Sequence, residues 1–156
     1  MKKGELIFLV NSGVQTITNH ELEPAHAYKV VKFRKAVAKA LDALAKDEDA
    51  IRSDAGIPDA AVFDKELKEL REAEHRTEVQ QVRLDEMETM LKRFLDLRSE
   101  LMGEELTLDC KTLPYEEWHK LQNENKARDI GGRKVDVLSG HVEDLLEGIL
   151  WAAPED

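Results

Sequence analysis

Three kinds of side chain in this sequence could do chemistry: a lone cysteine, five histidines and a cluster of lysines. Cys110 lies in EELTLDCKTLPYEEWHKL, residues 104–121, where Leu106, Leu108 and Cys110 alternate with Thr107, Asp109 and Lys111. A thiol becomes a nucleophile when a positive neighbour lowers its pKa. Lys111 is adjacent, but successive side chains of an extended chain point to opposite faces. Cys110 therefore reads as a small apolar residue in phase with the two leucines.

The histidines, His20, His26, His75, His119 and His141, include no i, i+4 pair and no HExxH, the spacing that puts two metal ligands on one helix face. No metal or cofactor is expected. Acid–base catalysis needs carboxylates of specific placement and tuned pKa. The doublets Glu104-Glu105 and Glu116-Glu117 carry no such signature, and no Walker A or Rossmann glycine pattern offers a nucleotide cradle. The chain is expected to be non-enzymatic, with no catalytic residue to name.

Lys29, Lys32, Lys35 and Lys39 form the basic cluster, with Arg34 among them and no acid from 24 to 41. On a helix, positions 28, 32, 35 and 39 share a face. That face is either a contact for phosphate or an acidic partner, or a solvated stripe paired with acids of a second helix. The second reading is favoured, with Glu66, Glu69, Glu72 and Glu74 as the counterparts.

The elements that must position these residues are mainly helical. Val30, Phe33, Val37, Leu41 and Leu44 follow steps of three and four after Pro24, which predicts a helix over 24–52. SDAGIPD, residues 53–59, carries the glycine and proline that stop it. Residues 62–102 predict a second, longer helix. Leu84, Met87, Leu91, Phe94 and Leu101 hold heptad a and d positions, Arg98 intrudes at one a position, and the middle, 71–81, is weak: either solvated helix or a break. The two helices are expected to fold as a long antiparallel hairpin, or the seam meets a second copy. Residues 105–111 predict a short extended segment that needs a backbone partner, from residues 5–18 or a second subunit. Residues 5–18 fit helix or strand equally. Pro114 suits the start of a helix carrying Trp118 and Leu121, residues 122–133 a loop, and residues 134–152 a final helix. The fold class is mainly α, in a single domain over 1–156.

Charged residues make up 36% of the 156 and aromatics only 5%, which fits long solvated helices over a Leu, Val, Ile and Ala core. Residues 1–63 balance nine acids with nine bases; residues 64–156 hold 24 acids against 14 bases, the whole net charge of −10. Such a balance argues against a non-specific duplex DNA binder, so no direct nucleic-acid partner is expected. One cysteine allows no internal disulfide and suits a reducing compartment. The apolar run Leu6–Val10 has five residues, too few for a signal h-region of roughly seven or a membrane span of about twenty. A cytoplasmic, membrane-free protein is expected, with virion association as a further option.

In order and pattern, most of the chain resembles small uncharacterised helical proteins of tailed bacteriophages and prophages. The resemblance is carried by EPAHAYKVVKFRKAVAKALDAL, DAGIPDA, ELTLDCKTLPYEEW and LSGHVEDLLEGIL. It implies a non-enzymatic protein of a virion-morphogenesis region, working as a helical coiled-coil interaction protein by self-association or by docking on a virion or host protein. The alternative is a phage-encoded inhibitor of a host defence enzyme, its acidic surface (Glu104, Glu105, Asp109, Glu116, Glu117) mimicking a nucleic-acid backbone and filling a basic groove.

Overall fold

The structure, a computed structural model, describes residues 1–154. It is mainly helical: α1 (Lys3–Asn11), a 3₁₀ turn (Val14–Thr16), α2 (Pro24–Asp54), α3 (Ala60–Glu72), α4 (Glu78–Gly103), α5 (Tyr115–Glu124), a hairpin of β1 (Arg128–Ile130) and β2 (Arg133–Val135), and α6 (His141–Leu146). The chain forms two compact units, one from residues 1–43 with the chain from Glu105 onward, the other from Leu44–Glu104. Helix α2 contributes to both.

In the second unit, the long helix expected over 62–102 is broken at 73–77. The cause is local. Thr77 caps α4: its hydroxyl accepts from the Gln80 N–H at 3.2 Å while the Gln80 side chain accepts from the Thr77 N–H at 2.9 Å. Arg76 turns back to donate to the Leu70 carbonyl at 3.1 Å, covering an open end of α3. The chain therefore reverses, and what reads as one seam becomes two facing stripes. Phe63, Leu67 and Leu70 of α3 pack with Leu84 and Met87 of α4 and with Ile57, and Met90, Leu91 and Phe94 flank them. Two bidentate pairs, Arg71–Glu88 and Arg83–Glu66, run along the outside. The end of α2 lies antiparallel to α4: Glu48 meets Arg98 at 2.6 Å and the Arg52 guanidinium sits 5.2 Å from the Phe94 ring centre. Arg98 at a seam position is thus an ion pair, not a defect.

In the first unit, residues 5–18 hold most of α1 and the 3₁₀ turn with short connections, so they offer no strand to 105–111. Leu6 and Leu9 of α1 are buried, as are Val14, Ile17, and Val30, Phe33 and Val37 of α2. Burying each such side chain contributes about 1.5–3 kcal/mol. Trp118 of α5 stacks on Trp151, with ring centres 5.6 Å apart and planes 10° apart. Both indole N–H groups donate to Glu143, Trp118 to a carboxylate oxygen at 3.3 Å and Trp151 to the carbonyl at 2.9 Å. Buried Asn125 accepts from the Thr18 N–H and donates to the Thr18 carbonyl, each at 2.9 Å, as a strand partner would. The Glu124 carboxylate accepts from the His20 and Glu21 N–H groups. The loop before α2 is thereby tied to the end of α5.

The expected helix over 134–152 is replaced by β2, a turn, the short α6 and a final coil. Gly131 and Gly132, at φ 58° and 79°, make the two-residue turn of the 128–135 hairpin. Gly140 and Gly148, also at positive φ, bracket α6.

Gly13 ends α1 at φ 92°, and a Cβ there would sit 2.3 Å from Ile130 Cδ1. Gly13→Ala should destabilise by roughly 2–3 kcal/mol, from left-handed strain plus the displaced end of Ile130. Gly131→Ala, with open space around it, should cost only the strain, about 1–2 kcal/mol. Urea unfolding of both variants checks the order.

A candidate functional site: a lysine-lined groove

The helix face beside the buried stripe of α2 carries Lys32, Lys35, Ala36, Lys39, Ala40 and Ala43. Alanine is a strong helix former and leaves room above it. Across from this face runs the extended chain 106–111, every residue of which lines the opening. Together they form a groove of about 450 Å³.

The extended wall is held at its ends. Leu106 and Met1 exchange backbone hydrogen bonds, the Leu106 N–H donating at 2.7 Å and the Met1 amine at 3.2 Å. The Leu113 N–H donates to the Leu150 carbonyl at 2.6 Å, and Lys29 donates to the Thr112 carbonyl at 2.9 Å. The partners of the segment are therefore isolated bridges, Lys2 with Glu105 and Leu113 with Trp151, and not a ladder with 5–18. Between the anchors, the Cys110 N–H reaches back to the Leu108 carbonyl at 3.0 Å, closing a three-residue turn about Asp109. Among the described residues, the N–H and C=O groups of Thr107, Asp109 and Lys111 have no backbone partner.

The lysine cluster divides. Lys29 is a structural tie. Lys32 lies 5.3 Å from the Tyr28 ring centre. Lys35 and Lys39 have no salt bridge or hydrogen bond among the described residues. Of the expected counterparts, Glu66 pairs with Arg83 of α4 and Glu72 with Lys68 of its own helix. The expected lacing of Lys35 and Lys39 with these acids is therefore not seen among the described residues.

The acidic residues take separate roles. Glu104 closes α4, its N–H donating to the Leu101 carbonyl at 3.2 Å. Glu105 meets the Met1 amine at 3.7 Å, and Asp109 lines the lysine groove. Glu116 is exposed in the first turn of α5. Glu117 beside it is only 7% exposed and binds Lys120 at 2.5 Å. The Lys120 hydrogen bond chiefly, with help from its charge, from His26 and from the Glu23 N–H, holds the Glu117 carboxyl below its ordinary range. Glu117 Oε2 and His26 Nδ1 are buried atoms without a hydrogen-bond partner. The one signal in the sequence for the burial of Glu117 is its place beside Trp118.

Cys110 is half-buried, and its thiol lies 3.3 Å from the Ile149 carbonyl. Burial first, and the Asp109 charge second, push its pKa up, the reverse of an activated thiolate. A second hollow of about 400 Å³ is lined by Arg133, Asp136, Ser139 and His141, among others. Its polar groups serve local structure: Asp136 accepts from the Ala127 N–H, Ser139 donates to the Asp136 carbonyl, and His141 packs 5.0 Å from Phe8. Among the described residues, no group of three or more His, Cys, Asp or Glu is placed to hold a metal ion, and no helix is long and apolar enough to cross a membrane.

Two measurements check these environments. Cys110 should react with iodoacetamide more slowly at neutral pH than a free cysteine peptide, and Asp109→Asn should speed it. Glu117 has a depressed folded pKa, so its contribution is complete above the ordinary value of 4.5 and disappears as pH falls through the folded value. The stability advantage of the wild type over Glu117→Gln should therefore shrink between pH ~7 and pH ~3, read from urea midpoints. No protein-family model, curated protein or solved structure matches this chain.

Proposed function

We propose that the chain is a non-catalytic protein-interaction module whose working surface is the groove between the lysine face of α2 and residues 106–111. One observation carries this reading: lysines with no ion-pair partner among the described residues stand over an alanine floor, beside a wall in which the backbone groups of Thr107, Asp109 and Lys111 have no backbone partner. Charges left without partners around a concave apolar surface are suited to a ligand that brings the opposite charge. The setting that fits is the one implied by the resemblance to tailed-phage proteins, docking on a component during virion assembly. The acidic-mimic alternative draws less support, since Glu117 is buried against Lys120 and Asp109 stands among lysines.

An unbiased selection tests the groove. A displayed peptide library is panned on the wild-type protein, with Ala40→Trp, which fills the floor of the groove, as the counter-target. Peptides should emerge that bind the wild type and lose at least about tenfold in affinity, or ~1.4 kcal/mol, on Ala40→Trp. If every selected peptide binds both proteins equally, the groove is not the working surface.

A further inference from the structure

Resting on that reading, we infer that the groove's occupant is an acidic segment of a partner protein, bound in extended conformation and paired through its backbone to the 107–111 edge. Charge sets the sign of the ligand. Among the described residues, Lys32, Lys35, Lys39 and Lys111 line the groove against the single acid Asp109, a basic strip on a chain of net charge −10. The lysines favour an acidic ligand.

Dimensions set the length of the occupant. From Lys32 to Ala43 the helix face runs about 16 Å at ~1.5 Å per residue. That length takes about five residues of extended chain at ~3.3 Å each.

Backbone chemistry sets the mode of contact. Among the described residues, the N–H and C=O groups of Thr107, Asp109 and Lys111 have no backbone partners. Leu106 already exchanges two hydrogen bonds with Met1, so the start of this stretch accepts strand-type pairing. An added strand satisfies the free edge, and its alternate side chains reach the lysines. A nucleic-acid strand is a poorer match: among the described residues, no aromatic side chain lines the groove to stack a base.

The experiment uses the full chain and fluorescent peptides of about seven residues. One alternates Glu and Val, a second alternates Lys and Val, and a third is the Glu–Val peptide N-methylated at alternate residues. An acidic helical peptide and oligo(dT) complete the set. The Glu–Val peptide should bind, should lose at least about tenfold on Lys35→Glu with Lys39→Glu, and should weaken as salt rises. Both lysines are exposed, so their replacement should leave the helical circular dichroism unchanged. The Lys–Val peptide should not bind, and N-methylation in the pairing register should abolish binding. Equal binding of the N-methylated, helical or Lys–Val peptide, or of oligo(dT), overturns the inference. The two readings separate: Ala40→Trp-sensitive peptides that are neutral or helical leave the groove in place and remove the acidic strand, whereas their absence removes both.

Discussion

The stack of Trp118 on Trp151, with Glu143 receiving both indole N–H groups, is the interaction on which most of the first unit depends. It brings the segment 147–151 onto α5. Leu150 can then accept from Leu113, and Ile149 from the Cys110 thiol. Those bonds hold one end of the extended wall, as Met1 holds the other. Two aromatic rings bury large apolar areas while their polar atoms find acceptors, so desolvation carries no uncompensated polar cost. The groove is thus a product of packing some distance away from it.

A second feature is the use of side chains in place of secondary structure. Asn125 supplies an amide to the Thr18 backbone, and Glu124 a carboxylate to two successive N–H groups. Lys29 reaches the Thr112 carbonyl. Each satisfies backbone groups that no ladder reaches. This explains how a unit whose described sheet is a two-stranded hairpin can hold long irregular segments in place.

The limits of sequence reading follow from the same physics. Helix α2 is legible almost to its ends, because Pro24 opens it, one apolar stripe runs through it and Gly56 follows it. The extended 105–111 segment is legible from its alternation. The reversal at 73–77 falls in the stretch 71–81 that the sequence leaves open between solvated helix and break, where the heptad positions hold Ala73, Thr77 and Gln80; the Thr77–Gln80 capping box decides it. Residues 134–152 carry a helical-looking stripe, yet Gly140 and Gly148 at positive φ interrupt it. The lysines of the candidate site are visible as a face. Their lack of ion pairs among the described residues is not, since Glu66 goes to Arg83 of α4 and Glu72 to Lys68 of its own helix. The burial of Glu117 depends likewise on His26 and Lys120, and His26 belongs to an element far away in sequence.

The crossed arginine forks of α3 and α4 have a further consequence. Arg71–Glu88 and Arg83–Glu66 each use both carboxylate oxygens, and on either helix the two fork residues stand five positions apart. The apolar stripes beneath them, built of leucine, methionine and phenylalanine, tolerate sliding. A shift by one helical turn, ~5.4 Å, would break both forks at once. Exposed ion pairs add little to stability, but here they act as an axial register mark, selecting one alignment of two greasy surfaces that would otherwise accept several.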